Sequence, residues 1–409
     1  MKFIKYNFFT FLFVFSLFFF SCNNERLLNL KQQELFTLNY GSFENELNMF
    51  PVENSGNINT HITMQDGFFF IANGEAKKVM QFTSYGDIIG IYYNEESNPT
   101  PNLGNEIFLT ENNIQTSTQQ ILKYPFNKLG KICADKKKNW FVVDSLPPER
   151  QEFDEKSKLA LRQVVLRFSE DGNFIDYFGQ EGPGGTPFPF IREIYTTLNN
   201  ELVVISQSTN GQIAYWFSDA GFLKYTIPVE IENLPKLADI PTEDLFISLD
   251  TIIPDRKEQI LYIKVDYQRR TFDTSTKAVA GIKFVATYLY PLDIEKGFYA
   301  DSLLIPAHEY TITEGFSKST QNIPYDFFGV SENGWLFFML ADENGFLVQL
   351  VQLNGQRVLN RRINMDFENT KYYNFNLSDE GIISAIQILK DNAKVSWWRT
   401  DNLIESLLK

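Results

Sequence analysis

The stretch Val164-Val-Leu-Arg-Phe-Ser-Glu-Asp-Gly-Asn-Phe-Ile-Asp-Tyr-Phe178 places two apolar-alternating segments on either side of Asp171-Gly172. Asp-Gly in that setting is the strongest short-range sign of a β-hairpin, because a two-residue type I′ turn needs positive φ at both positions. The same design recurs at Val79–Tyr93, Ile213–Ile227 and Leu347–Asn360. A last copy, Val395–Ile404, carries Asp401-Asn402 where the others have Gly.

A second unit lies upstream of these hairpins and pairs a turn with a very apolar strand. Asp66-Gly67 precedes Phe68–Ala72, Lys138-Asn139 precedes Trp140–Val143, and Asn199-Asn200 precedes Leu202–Ile205. Lys257-Glu258 precedes Ile260–Val265, Asn333-Gly334 precedes Trp335–Leu340, and Glu380-Gly381 precedes Ile382–Ile386. The six copies recur at intervals of 47 to 76 residues. Two hairpins in fixed order give four antiparallel strands per unit, and a continuous apolar run marks the second strand as buried on both faces. Units that cannot bury both faces alone must stack, and a closed ring removes the end faces. The expected fold is therefore an all-β, six-bladed β-propeller. A β-sandwich or large barrel also gives many short strands, but explains neither the fixed order nor the strongest strand always coming second. Glu34–Tyr40 alternates as a strand and is placed against the last blade. Asn402–Leu408 is read as that blade's outer strand, although it also permits a short helix. The segments 146–160 and 266–280 read as loops inserted on the rim in blades 2 and 4.

After the Val164–Phe178 hairpin the chain runs Gly179-Gln-Glu-Gly-Pro-Gly-Gly-Thr-Pro-Phe-Pro-Phe190. A strand ending in Phe-Gly, then a Gly/Pro-rich crossover, resembles the NHL-type propeller repeat over roughly residues 160–228.

The amino terminus reads MKFIKYNFFTFLFVFSLFFFSC. Lys2 and Lys5 precede an apolar run, Phe8–Phe20, that is too short for a spanning helix, which needs about 20 residues. This is a secretory signal pattern. Phe19-Phe20-Ser21-Cys22 resembles a bacterial lipobox, with Ser21 fitting the small residue and the two Phe departing from the usual pattern. The resemblance implies a signal peptide over 1–21, acylation of Cys22, a lipidated tether over 22–33 and a propeller over 34–409. Several acyl chains, at about 0.8 kcal/mol per CH₂, would anchor the protein firmly. Lipobox, loose blades, aromatic strands and acidic balance together resemble the six-bladed propeller lipoproteins of spirochaetes and their relatives. That likeness implies a fold and an address at the cell membrane, facing the periplasm or cell surface, but no activity.

Composition narrows function mainly by exclusion. The 409 residues include 39 Phe, but only 2 His and 2 Cys, Cys22 and Cys133. With Cys22 in the export segment no disulfide framework forms, and Cys133 reads as a small buried hydrophobe. The net charge of −14 becomes −16 once Lys2 and Lys5 leave with the first 21 residues, a balance that repels nucleic acid.

Gly179-x-x-x-x-Gly184-Gly185-Thr186 has P-loop spacing but lacks the Lys that reaches phosphate, and reads as a blade crossover. Asp342-Glu343-Asn344-Gly345 lacks the remaining calcium ligands and reads as a hairpin turn. His61 falls on an expected innermost strand, whereas His308 falls in a connector and is expected to be exposed. Asp135, Glu193, Asp326 and Asn374 are the carboxylates and amide that could line a central channel and hold an ion. Trp216, Trp397 and Trp398 fit either a ligand groove or, as the default, packing between blades. No catalytic, metal or cofactor set is assigned. The expected role is a lipid-anchored binding or scaffold module with the bilayer and an envelope protein as partners. The rival reading is a metal-dependent hydrolase or lactonase with its site in the channel.

Overall fold

The computed structural model describes residues 27–49, 58–102, 109–110, 113–114, 119–273, 275–314 and 317–408. Cys22 and the signal segment 1–21 lie outside the described residues.

Six antiparallel sheets form the six blades of a β-propeller. Blade 1 is Thr60–Gln65, Phe68–Asn73, Lys78–Thr83 and Ile88–Tyr93, with Gln120–Lys123 added in parallel at its outer edge. Blade 2 is Leu129–Ala134, Trp140–Ser145, Gln163–Phe168 and Phe174–Gly179. Blade 3 is Ile191–Thr196, Leu202–Gln207, Gly211–Phe217 and Leu223–Glu230. Blade 4 is Leu245–Pro254, Ile260–Phe272 and Val279–Asp293, edged by Phe298–Tyr299 and Leu303–Ile305. Blade 5 is Asp326–Val330, Trp335–Asp342, Gly345–Gln352 and Val358–Asn364, with Leu28–Asn29 in parallel on Arg361–Arg362. Blade 6 is Thr370–Leu377, Ile383–Leu389 and Asn392–Trp398, and its fourth strand is the amino-terminal Gln32–Asn39.

The apolar runs explain the ring. Each second strand splits its side chains by parity between two seams. In blade 1, Phe70 and Ala72 pack toward blade 2, while Phe69 and Ile71 pack toward blade 6. In blade 2, Trp140 and Val142 face blade 1, and Phe141 and Val143 face blade 3. In blade 5, Leu336 and Phe338 face blade 4, and Trp335 and Phe337 face blade 6. The described residues form six apolar clusters, one at each seam, the sixth joining Ile386, Ile388 and Val395 of blade 6 to Ile62, Met64 and Phe82 of blade 1. A strand with no solvent-facing side needs no hydrophobic alternation, which is why these stretches read as unbroken.

The first-to-second turns all follow the six expected pairs. Asp66 and Gly67 adopt φ of 51° and 79°, as a two-residue type I′ turn requires. The third-to-fourth hairpins differ from expectation. Around Asp171-Gly172 the strands pair only from Phe168 with Phe174, after a register shift at Arg167, so the loop is five residues with Gly172 at positive φ.

The carboxyl terminus also departs from the reading. Thr400–Leu408 is a helix, not an outer strand, and Val395–Ile404 is no hairpin. Gln32–Asn39 already occupies the outer edge of blade 6, so the last residues instead lay Ile404 and Leu407 over the seam between blades 5 and 6. The closing strand begins at Gln32, and Leu28–Asn29 already lies on blade 5, so the part of 22–33 that is described runs along the propeller wall. The rim insertions are hairpins rather than loops: Glu152–Asp154 pairs with Leu159–Leu161, and 266–280 belongs to the long second and third strands of blade 4. Gly182–Pro183 pairs with the end of blade 2, confirming residues 179–190 as a crossover, and Asp342–Gly345 is a hairpin turn.

Leu38, buried in the closing strand, tests this arrangement. Leu38→Ala should cost about 2–5 kcal/mol in urea unfolding, as for a core residue. Tyr85→Ala, at a position 87% exposed, should stay within about 0.5 kcal/mol. Equal effects would mean that the amino-terminal strand does not seal the ring.

Candidate functional site: the axial channel

The six innermost strands surround an axial cavity of about 660 Å³. Each is an edge strand whose outward N–H and C=O groups lack a sheet partner, and buried backbone groups must find one. Here side chains of neighbouring blades supply it. The Ile62 and Met64 amides donate to Asn374 Oδ1 and Asn376 Oδ1 at 2.9 and 3.1 Å. Tyr372 OH donates to the Thr60 carbonyl at 2.9 Å. Tyr372, Asn374 and Asn376 thus use the period-2 spacing of blade 6 to zip it onto alternate residues of blade 1. Between blades 2 and 3, Thr196 Oγ1 donates to the Ala134 carbonyl at 2.8 Å, and Lys131 forms an ion pair with Glu193.

One end of the channel is closed by charge. Arg256, in the first turn of blade 4, sends Nε to the Val330 carbonyl, Nη1 to that of Thr196 and Nη2 to that of Leu377, at 3.0, 3.1 and 3.3 Å. Nη1 also lies 3.3 Å from the Asp379 carboxylate. Lys136 of blade 2 pairs with Asp379 at 3.2 Å, Glu380 at 2.8 Å and Asp66 of blade 1 at 3.7 Å. These contacts tie all six blades together. Burial works against the Lys136 charge, but hydrogen bonds and charge from Glu380 and Asp379 hold its pKa above the ordinary lysine value.

Of the residues singled out from sequence, His61, Cys133, Glu193 and Asn374 line the cavity. His61 Nε2 lies 3.0 Å from Asn59 Oδ1, while its Nδ1 is buried without a partner. Burial, and secondarily the Lys131 charge, push its pKa down to about 3, so the ring is neutral at physiological pH. Asn374 spends its oxygen on the seam. Asp135 sits in a closed-end turn, accepting from Asn139 N and Nδ2 at 2.8 and 2.9 Å, and burial raises its pKa. Asp326, at the start of blade 5's innermost strand, is raised by burial and then by the Asp250 charge. Trp216 and Trp398 are buried in seams, and Trp397 is bonded to Gln33 on the outer face, so none lines the channel. His308 is half-buried against Tyr325 rather than exposed. Cys133 is buried in the blade 2–3 seam, and burial raises its thiol pKa well above the usual value.

Asp250 lines the cavity, and the buried Lys264 ammonium, on the second strand of blade 4, sits between it and Asp266 of the same strand at 2.8 and 2.7 Å. Burial alone would depress the Lys264 pKa, but the two carboxylates raise it. Glu193 and Asp379 are likewise paired with cations. Among the described residues no three His, Cys, Asp or Glu side chains converge as metal ligands. The arrangement can offer hydrogen bonds and paired charges to a polar guest.

Sequence reasoning missed Arg256, Lys131, Lys136 and Asp379. The alternation Tyr372-x-Asn374-x-Asn376 was a readable signal, since polar residues recurring every second position mark one face of a strand.

No family model matches this chain, and no curated protein matches it. Solved structures resemble it over most of their length. Streptogramin B lyase is 12% identical with a TM-score of 0.36, covering 90% of this chain and 97% of its own. A gluconolactonase of Xanthomonas campestris is 9% identical with a TM-score of 0.43, covering 91% of each chain. The Dos1 propeller is 10% identical with a TM-score of 0.35, covering 91% of this chain and 95% of its own. Values this low carry nothing about activity, and the six-bladed ring stands on its strand pairing and seams.

Two measurements check the channel. Arg256→Met leaves three buried carbonyls without their donor and Asp379 with Lys136 as its one cation, and should cost about 3–5 kcal/mol in chemical denaturation. For His61, the unfolded chain takes up a proton near pH 6.5 and the folded chain only near 3, so stability falls as pH drops between those values. From pH 7 to 5 this amounts to about 1–2 kcal/mol, which a His61→Gln variant should not lose. Parallel losses in both proteins would show that the buried ring is not the source.

Proposed function

We propose that this protein is a lipid-anchored β-propeller acting as a binding and scaffold module at the cell envelope. One asymmetry carries the reading. At the closed end every turn runs from two to five residues. The opposite end carries the insertions: 94–102, the hairpin over 152–161, the extended tip of blade 4 and the hairpin His308–Glu314/Ser317–Ile323. Elaborated loops on a rigid scaffold are where recognition concentrates.

The path of the amino terminus supports the same reading. Gln32 pairs with Trp398, which pairs with Ile383 beside the closed-end turn of blade 6. Five residues from Cys22 to Leu27 reach at most about 18 Å. An anchor at Cys22 therefore holds the perimeter of blades 5 and 6 near the bilayer and leaves the elaborated end for a partner. The secretory pattern, the lipobox likeness and the resemblance to NHL-like propeller lipoproteins point to the same address.

The alternative, a metal-dependent hydrolase or lactonase, would require oxygen ligands free at the axis. The pairing of Glu193, Asp250 and Asp379 with Lys131, Lys264 and Arg256 favours the binding reading instead.

Fractionation of cells making the Cys22→Ala variant tests the anchor. The wild-type chain should sediment with membranes and the variant should appear in the soluble fraction at unchanged thermal stability. A variant that stays membrane-bound sinks the lipid anchor.

A further inference from the structure

The second and third strands of blade 4, Ile260–Phe272 and Val279–Asp293, run 13 and 15 residues, whereas the same strands in other blades have six to eight. The excess forms an arm at the elaborated end, two-stranded beyond the pairing of Leu245 with Arg269. Its register pairs Gln268 with Phe284, Arg270 with Ile282 and Phe272 with Val279, and Phe246 with Gln268, so these residues share one face. That face is apolar yet open: Phe246 is 38% exposed, Phe272 46%, Ile282 57% and Val279 60%. The Arg270 guanidinium lies 5.5 Å from the Phe246 ring centre. Leu303–Ile305 covers the third strand only over Thr287–Leu289, so among the described residues no strand pairs with the edge from Val279 to Ala286.

The arm also inverts the charge of the chain. Within 267–286 stand Arg269, Arg270, Lys277 and Lys283 against Asp273 alone, in a protein of net charge −14. An apolar strip bearing arginine and aromatic side chains has the composition of a protein interface. Arg270 on that face and Lys277 at the tip favour an acidic counterpart, whereas Arg269 and Lys283 pair with each other on the opposite face.

A bilayer fits less well. The leading end of the arm, Asp273–Ala278, is polar, and Asp273 is engaged by the Ser275 and Thr276 amides at 2.9 and 2.7 Å. Hydrogen bonds from those residues hold its carboxyl below the usual range. Membrane-inserting elements lead instead with apolar side chains.

We infer that the blade 4 arm docks a partner protein presenting an apolar strip rimmed by Asp and Glu. This deepens the binding reading and rests on it, but not on the anchor, so the Cys22→Ala fractionation and the arm can fail separately.

A photocrosslinking amino acid placed at Ile282 of the full chain in intact cells of its native host tests this, with Tyr85 at the closed end as control. The expected result is one discrete adduct at 282, absent at 85, containing a different protein. That protein, identified and purified, should bind the chain with an affinity that falls as salt rises from about 50 to 300 mM. Ile282→Asp and the double variant Arg270→Glu/Lys277→Glu should each weaken binding at least about tenfold at unchanged thermal stability. No adduct, an adduct of twice the chain's own mass, a phospholipid adduct, or binding indifferent to these substitutions would each overturn the assignment.

Discussion

A sheet whose second strand is apolar on both faces cannot leave either face in water, and this constraint organises the molecule. Each blade needs a neighbour on both sides, and the need ends only when the last blade meets the first. The seam between blades 6 and 1 is therefore equal in kind to the other five. It is built from Leu38, Ile386, Ile388 and Val395 against Ile62, Met64, Phe69 and Phe82. At the axis, where apolar packing gives way to open backbone edges, the same seam is secured by Tyr372, Asn374 and Asn376. Hydrophobic area supplies the driving force and these directional contacts fix the alignment.

Polar groups at the axis follow from that geometry. Six converging strand ends present carbonyl oxygens to a shared space, and a guanidinium with five donors answers several at once. Arg256 does so for blades 3, 5 and 6, and the Asp379 carboxylate links it to Lys136. The closed end is thus a hub of paired charge. Glu193 and Asn374, which a list of residue types offers as ion ligands, serve as cross-braces between blades.

What could be read in the chain beforehand depended on the range of the interactions. The six turn-and-apolar-strand units were visible because a buried strand writes its environment into consecutive residues, as Trp335–Leu340 does. Glu34–Tyr40 was recognisable as a strand from alternation alone. The fate of Asn402–Leu408 was not, because its choice between strand and helix hinged on an edge filled by residues 364 positions away in the Gln32–Ser396 contact. The channel was the least legible part. Nothing adjacent to Arg256 in sequence announces that Thr196, Val330 and Leu377 will surround it, and blade 4's long strands looked like a loop because their tips are polar.

Sealing the ring with the amino-terminal strand also sets an order of events. The segment made first waits for the segment made last, since Gln32–Asn39 has no edge to join until Asn392–Trp398 exists. During folding the incomplete toroid is an open crescent with two unpaired borders, and such borders invite mispairing. A chain cut short before its final blade would keep that gap indefinitely, so completeness of synthesis is written into the closure itself.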